Sequence, residues 1–597
     1  MKRNSKIVRL LALILVTLLI VAACTTQETP SAPDDNNQTT TDQAGTQDTA
    51  TADDPDVSGE RRALTIGYQS ATNPQDENWW PTAFIEELQS VLNMDIELVT
   101  YSIDRLNLAL ASRDLTDLLR VNQIQAATVL DGNMAAAFDP FLDNRGSNIN
   151  AEQFQIRNNI IRRFQSNNDG QLYFVTPNVG EENKYGGVDI WNGYLVRWDR
   201  YLEIGAPDIG TDEDFVGILN QMVELEPVTD DGLPVYAMGI HNDWGLWAWN
   251  MMQFSNRGYQ NTGGGWIYAA SYVTGELVNN YLDLERGPFW YNMRFFNALW
   301  NLDLLDPDSF IMTSEEVNEK AGRGQYVSGI STWFTGRLRE NMAAIDPNTL
   351  AGIVAVPAVG QGGWYGGNHI AGWGDALVFM SADGNVETAV DFTNFMHSPD
   401  AARLHYSGVQ GVYWDYDASG KPVVTDRYIE LREGGGDPWR QVGIASMNHN
   451  IGESAFGMHP DGYYFDLFAA DFDAKIASLN PLQVNFSEHF GVRWPSEHHL
   501  NMVNAGRAFN QSDNLITAIN IGIGEIPSNI ARIDSQIDEI AFRAIPGFVM
   551  AESEDEFLEL QEAFLNDIRA AGAQESNDFW MPMWNEILEY VLAAAGR

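Results

Sequence analysis

Between Ala63 and Val121 the chain alternates short apolar runs with amphipathic stretches, and this rhythm limits the fold more than any other feature. Ala63–Tyr68, Asp95–Tyr101 and Leu115–Val121 have the length and apolar content of strands. Pro81–Leu92 and Leu106–Arg113 have the spacing of helices. A strand–helix–strand–helix–strand order predicts an α/β body with a largely parallel sheet, because parallel neighbours need a crossover between them.

Further elements follow. Gly170–Thr176 is a short strand ending at Pro177. Thr211 is an N-cap with Asp214 three positions on. Phe215, Ile218, Leu219, Met222 and Leu225 then share one helix face until Pro227. A second helix carries Phe289, Met293, Phe296 and Trp300. Strands are expected at Gln325–Thr332, Gly352–Ala358 and Ala376–Met380, and an amphipathic helix at Val386–His397. Gly408–Pro546 reads as loop-rich and aromatic-rich, and Glu554–Ile568 and Asp578–Ala595 as two closing helices.

The N-terminus has a separate logic. Lys2, Arg3, Lys6 and Arg9 precede an apolar stretch from Leu10 to Ala23, the layout of a secretory signal peptide and too short to span a bilayer. It ends Val21-Ala22-Ala23-Cys24, which matches a bacterial lipobox. Cys24 is the only cysteine in 597 residues, so no disulfide within the chain explains it. Lipidation of Cys24 is therefore expected, anchoring the chain on the extracellular face of the cell membrane. Thr25–Glu60 holds nine acids, no basic residue and no aromatic, the composition of a flexible acidic tether reaching on the order of 30 Å.

All 82 acidic residues lie beyond Ala23, whereas four of the 35 basic ones precede it. From Cys24 onward the formal charge is thus −51. Such a surface excludes nucleic acid as a partner and disfavours anionic lipid surfaces.

Eighteen Trp, 21 Tyr and 28 Phe are more than a core of this size requires to be apolar, and several lie in Gly/Asn/Asp-rich stretches. Trp79 and Trp80, Trp244, Trp364 and Tyr365, and Trp414 are the clearest. Flat rings beside amides and carboxylates suit sugar rings, which offer C–H faces for stacking and hydroxyls for hydrogen bonds.

Four stretches carry a family resemblance: Gly170–Tyr173 with Pro177; Tyr194–Gly205; Thr211–Pro227; and Gly408–Trp414 with Gly420-Lys421-Pro422. In order and spacing they resemble the extracellular solute-binding proteins of family 1, the capture components of ABC sugar importers, and among them the lipoproteins of aldouronate or other oligosaccharide uptake. The resemblance implies a periplasmic-binding-protein type II fold, two α/β lobes with a hinge and a cleft between them. One lobe would take 61–185 and 366–405, the other 186–365 and 406–597. It implies an oligosaccharide ligand, ABC permease subunits as membrane partners, a monomer, and no catalysis or cofactor.

Trp333 matches the family's sugar-facing tryptophan and is the first candidate. Trp364, Tyr365 and Asn368 fall in the implied crossover beside the cleft, and Trp79, Trp80, Trp244 and Trp414 complete the candidate set. Arg197 is expected to pair with a nearby carboxylate. Glu226–Pro234 lacks the alternating oxygen ligands of the calcium loop found in large relatives, so no metal is expected. Gly329–Trp333 lacks the closing glycine of a nucleophile elbow, and Glu497-His498-His499 is no zinc-protease motif. Two other readings fit the same residues: a lipid-anchored polysaccharide-acting enzyme, and a nutrient-sensing lipoprotein of this fold without a transporter.

Overall fold

The computed structural model describes residues 60–69, 82–180, 188–262, 265–363, 370–372, 376–434, 442–444, 452–453, 455, 457–469, 471–511 and 515–597. Its first part is the expected alternation. β1 (Arg62–Gln69) is followed by α1 (Thr82–Leu92), β2 (Met94–Tyr101), α2 (Ile103–Ser112), β3 (Leu118–Val121) and α3 (Gln123–Asp131). The caps are local chemistry. Ser102 accepts the Arg105 N–H at the start of α2, and Asn122 with Gln125 forms a reciprocal capping box on α3.

β1 lies between β2 and β3 and is parallel to both. The sheet is completed by β4 (Ala135–Ala136) and by β5 (Leu377–Ser381), which arrives from far along the chain and runs antiparallel to both β3 and β4. The sheet is therefore mixed, in the order β2-β1-β3-β5-β4. All five residues of β5 are buried, as in a strand covered on both faces. Gly67 sits where β1 passes closest to its neighbours: a Cβ there would lie 2.4 Å from Thr116 Oγ1.

Polar groups fasten this sheet. Asp117 Oδ2 accepts the Thr65 N–H (2.8 Å) and hydroxyl (2.7 Å), while Oδ1 accepts the Asn385 N–H (2.6 Å). The helix Val386–Met396 is held to the sheet by Asp391, gripped by Arg145 at 2.7 and 2.8 Å and by Arg62. Burial would push Asp391 upward, but the bonds from these two arginines outweigh it and hold the carboxyl below its usual range.

Gly170–Pro177, expected as a strand, pairs with β5 through one bridge only, Val175 exchanging bonds with Val378 at 2.9 and 2.8 Å. Thr176 then donates to the Ala371 carbonyl (2.6 Å), so two distant segments meet beside β5. Buried Arg157 ties this point to His397, whose Nε2 lies 2.9 Å from Nη1.

The remaining elements build around a short antiparallel pair, Leu195–Arg197 with Ile353–Ala355. Arg197 is buried and pairs with Asp199 (3.1 Å) and Glu226 (3.0 Å), as expected. The helix after Thr211 is Asp212–Leu225, and Thr211 accepts the Asp214 N–H. Gln325–Thr332, expected as a strand, forms no ladder: it makes one isolated bridge, Tyr326 with Tyr236, and Thr332 already belongs to a 3₁₀ turn. Val327 donates to the Tyr236 carbonyl and accepts from Arg197 N–H, and Ser328 Oγ donates to Leu195 O.

Gly408–Pro546, expected to be loop-rich, contains short helices at Pro481–Phe490 and Pro495–Asn504 and a 23-residue helix at Ser528–Met550. The last buries Ile530, Ile533, Ile537, Ala541, Ile545 and Phe548 on one face. Its carbonyl end is satisfied by Asn297, which donates to Phe548, Val549 and Ala551. Glu554–Ala571 and Ala573–Ala594 close the chain. Residues 60–597 form one compact unit.

Candidate functional site

The segment Gly239–Trp247 is threaded tightly through the interior and then turned outward. A Cβ on Gly239 would lie 2.3 Å from the Tyr326 hydroxyl oxygen, so only glycine passes there. Ile240 N–H donates to Ser309 Oγ and Asn242 N–H to the Met312 carbonyl. Gly245 then adopts a positive φ of 56°, starting the helix Leu246–Arg257 by a turn that other residues adopt only under strain. The turn sets Trp244 on the surface at 46 % exposure.

Trp244 belongs to a cluster rather than standing alone. Its ring meets Trp247 at 5.1 Å and Phe334 edge-on at 5.4 Å, and Trp247 meets Phe334 at 5.9 Å. These separations are those of favourable aromatic pairs. Phe334 is delivered by the 3₁₀ turn Thr332–Phe334, anchored where the Thr332 N–H donates to the Trp191 carbonyl at 3.0 Å. Trp333 is the middle residue of that turn, so its immediate neighbour touches both tryptophans.

Beneath the rings lies His241, fully buried, 4.5 Å from Phe334 and 5.4 Å from Trp244. Its Nδ1 is 2.9 Å from Asp243 Oδ1. A carboxylate only accepts, so the proton belongs on Nδ1 and Nε2 presents a lone pair. Nε2 has no hydrogen-bond partner among the described residues. Burial lowers the His241 pKa, partly offset by Asp243, and keeps the ring neutral. Asp243 is fixed by the Ser314 N–H (3.0 Å) and hydroxyl (2.8 Å). Burial alone would raise it, but these bonds and the histidine hold it low.

A second feature is a polar pocket of about 460 Å³. It joins α3, which leaves β3, to segments far along the chain. Thr128, Asp131, Gln260, Asn261, Thr262 and Glu525 lie on its walls, and no aromatic residue among the described ones does. Among the described residues no three His, Cys, Asp or Glu side chains converge as a shell for a metal ion.

Of the residues expected from sequence, Trp244 lies in the cluster and Trp333 in the turn that builds it, its side chain being outside the described residues. Trp79, Trp80, Trp364, Tyr365, Asn368 and Cys24 also lie outside them. Trp414 is 7 % exposed. Its N–H donates to the Gly408 carbonyl (2.9 Å), and the Arg403 guanidinium sits 5.2 Å from the ring centre. The ring is packed, not presented, because Arg403 reaches it from the helix Pro399–Ser407. Trp249 is a core residue stacked on Phe310. His241 and Phe334 were not evident from sequence. The available signal was the His-x-Asp spacing ahead of a glycine-turned tryptophan.

No protein-family profile and no curated protein sequence matches the chain. Solved structures do match in fold. An HMO-binding, ABC-transporter-associated solute-binding protein from Bifidobacterium longum infantis is similar over 89 % of this chain and 99 % of its own, with a TM-score of 0.57 and 13 % identity. The Streptococcus pneumoniae ABC-transporter substrate-binding protein FusA, in complex with kestose, covers 90 % and 100 %, with a TM-score of 0.53 and 11 % identity. The alginate-binding protein AlgQ2, without calcium ion, covers 89 % and 99 %, with a TM-score of 0.53 and 14 % identity. The chain has the two-lobed α/β fold of the solute-binding proteins.

Proposed function

We propose that this chain is the substrate-binding lipoprotein of an ABC importer, which captures an oligosaccharide on the aromatic cluster and delivers it to a membrane permease. The observation that carries the reading is the exposed Trp244, backed by Trp247 and Phe334. Rings supply stacking for the C–H faces of a sugar. Fold neighbours whose names record kestose or HMO binding support it. The excess of acids favours neutral sugars over uronates.

In this reading the lobes comprise 61–185 with 366–405, and 186–365 with 406–597, and close on ligand by a hinge. The working form is a monomer held on the outer face of the cell membrane by lipid on Cys24. Calorimetry with xylo-, manno-, gluco- and aldouronic oligosaccharides is expected to show saturable binding of a neutral series and no release of reducing ends. Turnover would sink the receptor reading in favour of an enzyme. The Cys24→Ala variant is expected to appear in the medium with unchanged affinity. Retention at the membrane would refute the anchor.

A further inference from the structure

A pocket of about 780 Å³ lies at the far end of the helix Leu246–Arg257 from the aromatic cluster. Trp247 and Asn256 are nine residues apart, about 14 Å along a helix axis. Its size falls within the range of small-molecule sites. Its walls include Tyr194, Asp212, Asn256, Arg257, Tyr291 and Arg294.

The walls carry four charges: Glu213 is exposed, and Asp212, Arg257 and Arg294 are paired. Arg257 pairs with Asp212 at 2.8 Å and lies 3.4 Å from the centre of the Tyr291 ring. Asp212 also accepts from the Tyr194 hydroxyl (2.8 Å) and Gln253 Nε2 (3.0 Å). Arg294 makes two bonds to Glu554, at 2.9 and 3.0 Å. The buried group left open is neutral. Asn256 is 5 % exposed, and among the described residues neither its Oδ1 nor its Nδ2 has a hydrogen-bond partner. A buried amide left with both functions open is costly and calls for a complement. A neutral amide is complemented by an uncharged group that offers a donor beside an acceptor. Tyr194, Tyr291 and Phe295 on the walls favour a ring with C–H faces over a peptide.

We infer that this pocket is a second saccharide site, taking one or two neutral sugar units whose adjacent hydroxyls bond both atoms of the Asn256 amide. Ligand on the Tyr291 face displaces the Arg257 side chain, which otherwise covers it. The inference adds to the proposed receptor role without depending on the cluster.

The test uses the full chain with Trp244→Ala and Trp247→Ala, which silence the cluster. Calorimetry and native mass spectrometry with cellobiose, mannobiose and xylobiose are expected to show one remaining site for at least one of them. Adding Asn256→Leu is expected to weaken that site at least tenfold while the unfolding midpoint stays level or rises, because an unpaired amide has been removed. Tyr291→Leu, at a partly exposed position, provides a second variant that spares the interior. Absence of a remaining site, insensitivity to both variants, or binding of N-acetylglycinamide in place of the sugars would overturn the inference. If wild type binds a disaccharide and the cluster-silenced chain binds none, only this second site falls. If wild type binds no sugar at all, the receptor reading falls with it.

Discussion

Replacing Trp198 with alanine is expected to destabilise the folded body by about 3–5 kcal/mol, the cost of truncating a fully buried tryptophan. Trp198 has no exposed surface and opens the helix Trp198–Glu203. Its ring packs on Phe486 at 5.0 Å, Tyr201 at 5.8 Å and Phe490 at 6.1 Å, with His489 edge-on at 5.5 Å. Its N–H donates to Asn485 Oδ1 at 2.9 Å. Four of these five partners lie in Pro481–Phe490, nearly 300 residues further along the chain. Alanine would leave a cavity, an unpaired amide oxygen and a detached helix. Trp198→Phe keeps most of the ring and should recover most of the loss. Chemical unfolding measures both; an unchanged midpoint in Trp198→Ala would contradict the packing described.

Acid is expected to weaken the protein through buried neutral histidines, most measurably His499. Its ring is buried beneath Gly363, where a Cβ would lie 2.5 Å from it, and Nε2 lies 3.1 Å from the Gln361 carbonyl. Burial lowers its pKa from 6.5 to about 4, with Gln361 opposing. The folded pKa is below the unfolded one, so the unfolded chain takes the proton first as pH falls. Stability from this group is complete above pH 6.5 and is lost between there and about pH 4, an interval worth roughly 3 kcal/mol. Asp538, raised to about 7 by burial, titrates in the opposite sense. A difference between wild type and His499→Gln cancels such shared contributions. That difference should change by roughly 3 kcal/mol between pH 7 and pH 4; parallel curves would refute it.

The sequence disclosed most where local chemistry decides structure. Asp214 behind Thr211 placed a helix start, and the Ala63–Val121 rhythm placed three strands. The direction of β5 was not readable, since a continuous apolar run such as Leu377–Met380 is the same in both directions. Gly408–Pro546 read as loop-rich, whereas Pro481, Gly491 and Pro495 within it bound short helices that bury few residues each. The stripe from Ile530 to Phe548 did carry a helical period, obscured by Pro546 in its final turns. At the site, Trp244 was legible because Gly245 turns it outward. Trp414 looked similar, and what hides it, Arg403, is not adjacent in sequence. His241 was invisible because Phe334, which covers it, comes from another part of the chain.

Saccharide binding by the cluster of Trp244, Trp247 and Phe334 is tested by calorimetry with the tightest-binding oligosaccharide of the panel, comparing wild type with the Trp244→Ala, Trp247→Ala double variant. Wild type is expected to bind saturably and the variant at least about 100-fold more weakly, with both chains equally folded, since aromatic anchors dominate such contacts. Equal affinity in the two proteins would contradict it.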